Sequence, residues 1–336
     1  MSSFFQVYIY ADLRTMSSSN RTLDKADKSD GHSGEIDVCC PLCGSGKNRR
    51  KELIDTAPVV ELWQRFFEID ITTELDRVRQ MELRQCSCCK LSFFLPQSLA
   101  GSGDMYAQLE TVIDYYSSRK WEYDVALRDL RGREKVLEIG CGSGQFIAMA
   151  KAEAGISIEG LELNQTAISQ ALRRGLCVRN ARAEAVAKEA SGTYDAVCSF
   201  QVVEHVPMLG DFLRNCCSLL KRGGLLIAAM PNQRSYIRHM VNPLDMPPHH
   251  LTRWNRDSII RLQDHFPLKL VRTAYEPLPE QQIQLFVDTY DSLLRRRGLR
   301  YLIHPWLRTR AMRAIRRFGI NRFIRGQNMY ACYVRL

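Results

Sequence analysis

No stretch of the 336 residues approaches the ~18 uninterrupted apolar residues of a membrane-crossing helix, so no spanning segment is expected. Met1 to Arg14 lacks a cationic region followed by an apolar block, so no secretory signal is visible. Internal repeats are also missing, which argues against a solenoid. Lysine is absent from residues 291–336, which hold twelve arginines and a single acid, Asp291. That segment therefore carries +11 of a formal net charge of +10, and residues 1–290 sum to −1. The chain is thus nearly neutral with a basic C-terminal stretch. Its 45% hydrophobic and 25% charged content suits a globular protein with a sizeable core and excludes a collagen, a coiled-coil rod or a wholly disordered chain.

Cysteine, by contrast, is plentiful at twelve. Without a signal peptide a reducing cytosol is the default, which favours metal binding or free thiols over disulfides. Six cysteines fall in two tight groups, Cys39, Cys40 and Cys43, then Cys86, Cys88 and Cys89. Cys141, Cys177, Cys198, Cys216, Cys217 and Cys332 are scattered and read as small core residues.

Residues 1–35 read as a disordered leader, polar from Thr15 to Glu35, with Met16 as a second candidate start. Residues 36–95 hold both cysteine groups. Between them Ala57 to Ile71 places Val60, Trp63, Phe66 and Phe67 on one helical face. Tyr106 to Leu130 reads as helices, including residues 115–127. Short apolar strands then alternate with helices: strands at Lys135 to Ile139, Ser157 to Leu163, Tyr194 to Phe200 and Gly224 to Met230, helices at Gln145 to Glu153, Thr166 to Arg174 and Leu209 to Leu220. Leu268 to Tyr275 and Asn328 to Arg335 add two strands around a basic helical insertion at about 291–326. Such alternation implies an α/β fold, a parallel sheet with helices on both faces.

The strongest motif is Val136-Leu137-Glu138-Ile139-Gly140-Cys141-Gly142-Ser143-Gly144-Gln145-Phe146, a buried strand entering a glycine turn and then a helix. Glycines let backbone approach a ligand closely, and the helix start offers N–H groups. The spacing differs from the dinucleotide pattern G-x-G-x-x-G, because Gln145 follows Gly144. Glu162 closes the next strand 22 residues after Gly140, where a carboxylate can accept both hydroxyls of a ribose. Downstream come Tyr194-Asp195-Ala196-Val197 through Gln201-Val202-Val203-Glu204-His205, then Leu219-Leu220-Lys221-Arg222-Gly223-Gly224 and Leu225 to Asn232.

Taken in order, these four motifs resemble those of class I S-adenosylmethionine-dependent methyltransferases over about residues 105–336. The resemblance implies a Rossmann-like, doubly wound seven-stranded sheet in three layers, with the methyltransferase domain over 96–336. It implies a cofactor site of Glu138, Gly140, Gly142, Gly144, Glu162 and Gln201, with the backbone of Ala183 at the adenine edge. Ala181-Arg182-Ala183-Glu184 departs from the family pattern, which usually has an Asp-Ala pair there.

Methyl transfer needs in-line alignment, and a hydroxyl or amine acceptor must lose a proton. His205 and the pair His249-His250 are the candidates for that chemistry, set against the plain alternative of packed or hydrogen-bonded loop histidines. Pro247-Pro248 stiffens the approach to the pair, and the segment through Trp254 is similar to one in bacterial methyltransferases of surface-polysaccharide or lipid-linked sugar pathways. A doubled histidine also suits a metal, but no third ligand stands near it in sequence, so the pair is not read as a metal site.

Cys40-Pro41-Leu42-Cys43 and Cys86-Ser87-Cys88-Cys89 supply two C-x-x-C knuckles, the donor set of a structural zinc. The pair resembles the zinc ribbon that precedes the methyltransferase domain in several bacterial families, with Zn²⁺ on Cys40, Cys43, Cys86 and Cys89. Cys39 and Cys88 are extra, and Lys90 stands where a knuckle usually has glycine.

Leu307 to Ile324 aligns Leu307, Ala311, Ile315 and Phe318 at helical spacing among arginines, with Tyr301, Trp306, Arg297 and Arg300 nearby. A basic amphipathic helix suits a membrane surface, RNA, or a solvated face packed on the core. The expectation is therefore a cytoplasmic enzyme, peripheral at the inner membrane surface where the helix engages lipid. It would transfer methyl from S-adenosylmethionine to oxygen on a sugar, glycolipid or other small acceptor, a lipid-linked saccharide included. RNA methylation and a non-catalytic cofactor-binding scaffold are the alternatives, with nucleic acid ranked behind a small acceptor because no RNA-binding module stands out.

Overall fold

The structure is a computed structural model and describes residues 38–113, 119–296 and 305–336. The leader expected over residues 1–35, the helical reading of residues 115–118, and Arg297, Arg300 and Tyr301 lie outside the described residues.

After the first cysteine knuckle, β1 (Asn48–Asp55) leads into α1 (Thr56–Phe67), and β2 (Gln80–Cys86) returns antiparallel to β1. β3 (Ser92–Leu95) follows the second knuckle, and α2 (Gly103–Val112) and α3 (Trp121–Asp129) lead to the alternating region. There β4 (Lys135–Ile139), α4 (Gln145–Ala154), β5 (Ser157–Glu162), α5 (Gln165–Arg173), β6 (Val178–Asn180), α6 (Ala183–Glu189), β7 (Tyr194–Phe200), α7 (Leu209–Leu219) and β8 (Leu220–Pro231) succeed one another. The chain ends through β9 (Thr252–Arg253), α8 (Arg256–Leu262), β10 (Leu268–Pro277), α9 (Ile283–Arg296), α10 (Pro305–Arg317) and β11 (Arg325–Arg335).

Seven strands form one sheet in the order β10-β11-β8-β7-β4-β5-β6. β6, β5, β4, β7 and β8 are parallel, and β11 runs antiparallel between β8 and β10. β4 is buried along Val136 to Ile139, as a strand covered on both faces must be. Alternate residues feed two cores: Val136 joins Phe146, Ile147 and Ile168 beneath α3, α4 and α5, while Leu137 and Ile139 join Val186, Leu213 and Ile259 beneath α6, α7 and α8. The α/β doubly wound, three-layer expectation holds. Local chemistry fixes the helix starts: the Asn164 side chain accepts from the Thr166 and Ala167 amides, and Asn255 and Ser258 cap each other at α8.

A second sheet, β1-β2-β3-β9, changes the picture of two modules in series. β9 comes from the segment after the fifth strand of the large sheet, and its Thr252 and Arg253 pair with Phe93 and Ser92 of β3. The Phe94 amide also donates to Leu251 O at 2.9 Å. Cys40, Cys86, Cys89 and Phe93 share a core with Leu137, Val203 and Leu213, so packing does not break near residue 95.

Two other expectations need correction. Cys177 is exposed at the start of the short edge strand β6, whereas the other five scattered cysteines are buried. The arginine helix ends at Arg317, because Gly319 turns the chain with φ 61°. Its apolar stripe also splits: Ile315 packs with Tyr236, Leu278 and Ile283, while Leu307 and Phe318 stay exposed. Arg308 pairs with Asp288 and Asp291 of α9, so part of the charge is spent within the fold. Among the described residues, no helix is long and apolar enough to cross a membrane.

Candidate functional site

The site lies at the carboxyl edge of the parallel strands, where ligands sit in open α/β sheets. β4 and β5 pair with Ile139 opposite Leu161, so Gly140 and Glu162 emerge side by side. Gly140, Gly142 and Gly144 all adopt left-handed backbone, with φ 73°, 52° and 78°. At Gly140 a β-carbon would lie 2.4 Å from Val202 Cγ2, which belongs to the turn after β7. Only glycine permits that approach, and it brings the β7 turn against the glycine loop. The Glu162 carboxylate accepts from the Gly142 amide at 2.8 Å and from the Leu163 and Asn164 amides at 2.7 and 2.9 Å. The acid is held at the mouth of the loop.

Glu138 is buried on β4, and its Oε2 has no hydrogen-bond partner. Burial pushes its carboxyl well above the usual range, against the pull of Lys120. Gln201 takes φ 56°, unusual for a non-glycine residue and costing about 1–2 kcal/mol. Its Nε2 donates to Glu122 Oε1 at 3.1 Å. Glu122, itself buried, was not singled out from sequence. Its place in the apolar stripe of α3 with Val125 and Ala126 was the available signal. Ala183 begins α6 and is buried beside the same edge. These residues gather at the carboxyl edge of the sheet, where a nucleoside with an attached amino acid could be held.

Across the β7 turn the three histidines meet. Ring centroids are 4.5 Å apart for His205–His249, 4.9 Å for His205–His250 and 4.5 Å for His249–His250. This corrects the reading of the pair as lacking a third ligand: one nitrogen from each ring lies within 4.8 Å of the others. His205 Nδ1 lies 2.6 Å from His249 O, and Tyr106 Oη lies 3.1 Å from the same nitrogen. Burial lowers the His205 pKa to about 4 and drives those of His249 and His250 well below the usual value. All three rings are therefore neutral near pH 7. Glu204 is buried beside them and its pKa is pushed up to about 8, again by burial. Tyr106 and Glu204 escaped the sequence reading because Tyr106 reaches the cluster from 99 residues away and Glu204 sat unremarked inside a motif.

The four cysteines of the two knuckles also converge. Cys40 and Cys89 Sγ are 3.5 Å apart, Cys43 and Cys86 Sγ 3.6 Å, and all four lie within 4.8 Å of one another. Tetrahedral zinc with bonds of ~2.3 Å sets sulfurs about 3.8 Å apart, so the donor set fits that ion. Hydrogen bonding from Cys89 draws the Cys40 thiol down to about 6, whereas burial pushes Cys43 up to about 12 and the bond with Cys40 pushes Cys89 up. Lys90 takes φ 64°, matching Gly44 at 71° in the first knuckle, so the lysine adopts the turn that glycine usually serves. Cys88 is exposed, with Sγ 3.8 Å from His265 Nε2.

A family model described as a methyltransferase domain matches residues 121–302, more than half of the chain. The chain belongs to that family. As a methyltransferase domain it is similar to the ubiquinone biosynthesis O-methyltransferase of Caulobacter sp. (strain K31), 37% identical over 117 residues that cover 32% of this chain and 46% of the relative. The homologous enzyme of Caulobacter vibrioides (strain ATCC 19089 / CIP 103742 / CB 15) is 30% identical over 151 residues, covering 43% and 52%. The chain thus spans about half the length of these two curated relatives. Among solved structures, a SAM dependent methyltransferase from Archaeoglobus fulgidus aligns at 19% identity and TM-score 0.43, covering 64% of this methyltransferase domain protein and 94% of that chain.

Proposed function

We propose that this protein transfers the methyl group of S-adenosylmethionine to an oxygen of a small acceptor. The observation that carries the reading is the pairing of β4 with β5, which sets the three left-handed glycines beside the Glu162 carboxylate, 2.8 Å from the Gly142 amide. Glu162 would exchange its loop amides for the ribose hydroxyls. Gly140, Gly142 and Gly144 would let the backbone close on the methionine portion, with Glu138 and Gln201 lining the site and Ala183 at the adenine edge. The transfer breaks the sulfur–methyl bond as the oxygen–methyl bond forms, and the sulfonium leaves as neutral thioether. The acceptor's proton must go to a nearby lone pair, and the neutral His205, His249 and His250 provide that environment.

Oxygen is the favoured acceptor atom because the similar Caulobacter proteins are O-methyltransferases. A sugar or lipid-linked saccharide remains our substrate proposal, with the aromatic hydroxyl of a quinone precursor, as in those relatives, the competing acceptor. Zinc on Cys40, Cys43, Cys86 and Cys89 would be structural, since four thiolates leave no open position. Contact with a membrane surface is supported by Trp306 and Leu307 in the first turn of α10 and Phe318 and Phe323 after its end, all exposed among arginines.

Calorimetry with S-adenosylhomocysteine, followed by methyl-labelled cofactor with fractionated extract, tests the reading. Bound ligand and label entering a lipid or small-molecule fraction are expected. Folded protein that gives no heat with the cofactor product refutes it.

A further inference from the structure

Cys88 is the extra cysteine of the second knuckle, set between Cys86 and Cys89. Its amide donates to Cys86 Sγ at 3.3 Å, while its own side chain is exposed. There it meets His265, 177 residues further along, with Sγ 3.8 Å from Nε2. A sulfur and a nitrogen donor of one tetrahedral zinc stand about 3.6 Å apart, so the observed separation suits such a pair. α8 braces the approach. His265 follows that helix, and its amide donates to Leu262 O at 3.1 Å. At the start of the helix, Asn255 Nδ2 donates to Lys90 O of the knuckle turn at 3.1 Å. The helix is thus tied to the knuckle at one end and delivers the imidazole beside Cys88 at the other.

Cys43 completes the group. It belongs to the four-cysteine cluster, with Sγ 3.6 Å from Cys86 Sγ, and of those four it alone is only partly buried. One donor atom each from Cys43, Cys88 and His265 lies within 4.8 Å of the other two. Cys43 therefore stands in two sets of converging donors at once. A thiolate sulfur keeps lone pairs beyond the one it gives to its first ion, so it can bind a second without leaving the first. Charge points the same way. Four thiolates around one divalent ion leave about two negative charges in excess. Excess charge among buried sulfurs is costly, and a cation on the shared sulfur offsets part of it.

We propose that Cys43, Cys88 and His265 bind a second thiophilic divalent ion, with the Cys43 thiolate bridging it to the ion of the four-cysteine cluster. Two sulfurs and an imidazole suit zinc and ions that share its taste for sulfur, and not magnesium or calcium. Three protein donors leave the fourth tetrahedral position open, so this ion exchanges with solution where the four-thiolate ion is closed in. Water or a small thiol would fill the open position. The proposal rests on the zinc reading of the four-cysteine cluster and is independent of the transferase reading.

The test uses the full chain, stripped of metal under reducing conditions and titrated with isotopically enriched cadmium(II) as a spin-active stand-in for zinc. Two equivalents are expected to bind. The cadmium spectrum should then hold one resonance from a tetrathiolate site and one from a site of mixed sulfur and nitrogen donors, each split by the other through the shared sulfur. Cys88→Ser and His265→Gln should each weaken binding of the second equivalent at least ~10-fold, while the tetrathiolate resonance and the circular dichroism stay those of the parent. Cys39→Ser removes the other extra cysteine and should keep both ions. A single equivalent in the parent overturns the second site and leaves the zinc reading standing, whereas no saturable binding at all overturns both. Two resonances without mutual splitting, full affinity for the second ion in either Cys88→Ser or His265→Gln, or its loss in Cys39→Ser overturns the bridged assignment.

Discussion

Gly140 shows how a single missing atom governs the glycine loop. Its φ of 73° and the 2.4 Å approach that a β-carbon would make to Val202 Cγ2 act together. Gly140→Ala is expected to cost about 1–2 kcal/mol from the backbone alone. Pushing the β7 turn away should also lower affinity for S-adenosylhomocysteine by at least ~10-fold, which calorimetry would read. Glu276 offers a residue-scale test of a different kind. It sits half-buried on β10, its Oε2 accepting from the Asn328 amide and side chain, and burial lifts its pKa to about 7. In the unfolded chain a glutamate titrates near ~4.3, so the folded protein binds this proton more tightly. Its contribution to stability is full below about pH 4.3 and is lost as pH rises through about 7. Glu276→Gln should flatten that decline, gaining on the order of 1–2 kcal/mol over the parent at pH 8 relative to pH 4.5, as denaturant melts at the two pH values would show.

At the scale of elements, α1 is more than a spacer between the cysteine knuckles. Trp63 is fully buried, edge-on to Phe67 at 5.1 Å, and its Nε1 donates to Pro243 O at 3.3 Å. Its ring centroid lies 6.4 Å from that of His249, so α1 braces the loop that carries the histidine pair. Trp63→Ala is expected to cost about 3–5 kcal/mol and to raise the acceptor KM more than that of the cofactor, since the glycine loop lies on other elements. Thermal melts and paired kinetics check both parts. The alternating strands and helices were legible because their apolar patterns are local; Tyr194 to Phe200 was read with the observed ends. The glycine loop and Glu162 were legible for the same reason, since spacing along one β-α-β unit fixes their proximity. The convergence of His205 with His249 and His250 was not, because the Leu251 and Thr252 amides donate to Glu204 O, a contact between segments more than 45 residues apart that no local pattern announces. The arginine helix was misjudged in detail because spacing alone does not say that Ile315 finds a core beside Tyr236 and Ile283 while Phe318 does not.

The whole molecule tests whether the four-cysteine cluster is an appendage or part of the common core. Cys40, Cys86 and Cys89 are buried in one continuous cluster with Leu137 and Val197 of the large sheet and Leu213 of α7, and the Gly210 amide donates to Pro41 O at 2.8 Å. The small sheet is closed by β9, whose chain continues into Trp254, buried in the same core. An ion bound by the thiolates would therefore stabilise the large sheet as well as the knuckles, because binding to the folded state alone shifts the global equilibrium. Strong chelation, or Cys43→Ser, is expected to lower the midpoint of a single calorimetric transition, with S-adenosylhomocysteine affinity falling along with it. A flexible appendage would behave otherwise: its melting would separate from that of the sheet, and the cofactor would bind unchanged. Two resolved transitions after zinc removal, with the upper one still shifted by S-adenosylhomocysteine, would show that the knuckles are coupled to the sheet only by the chain.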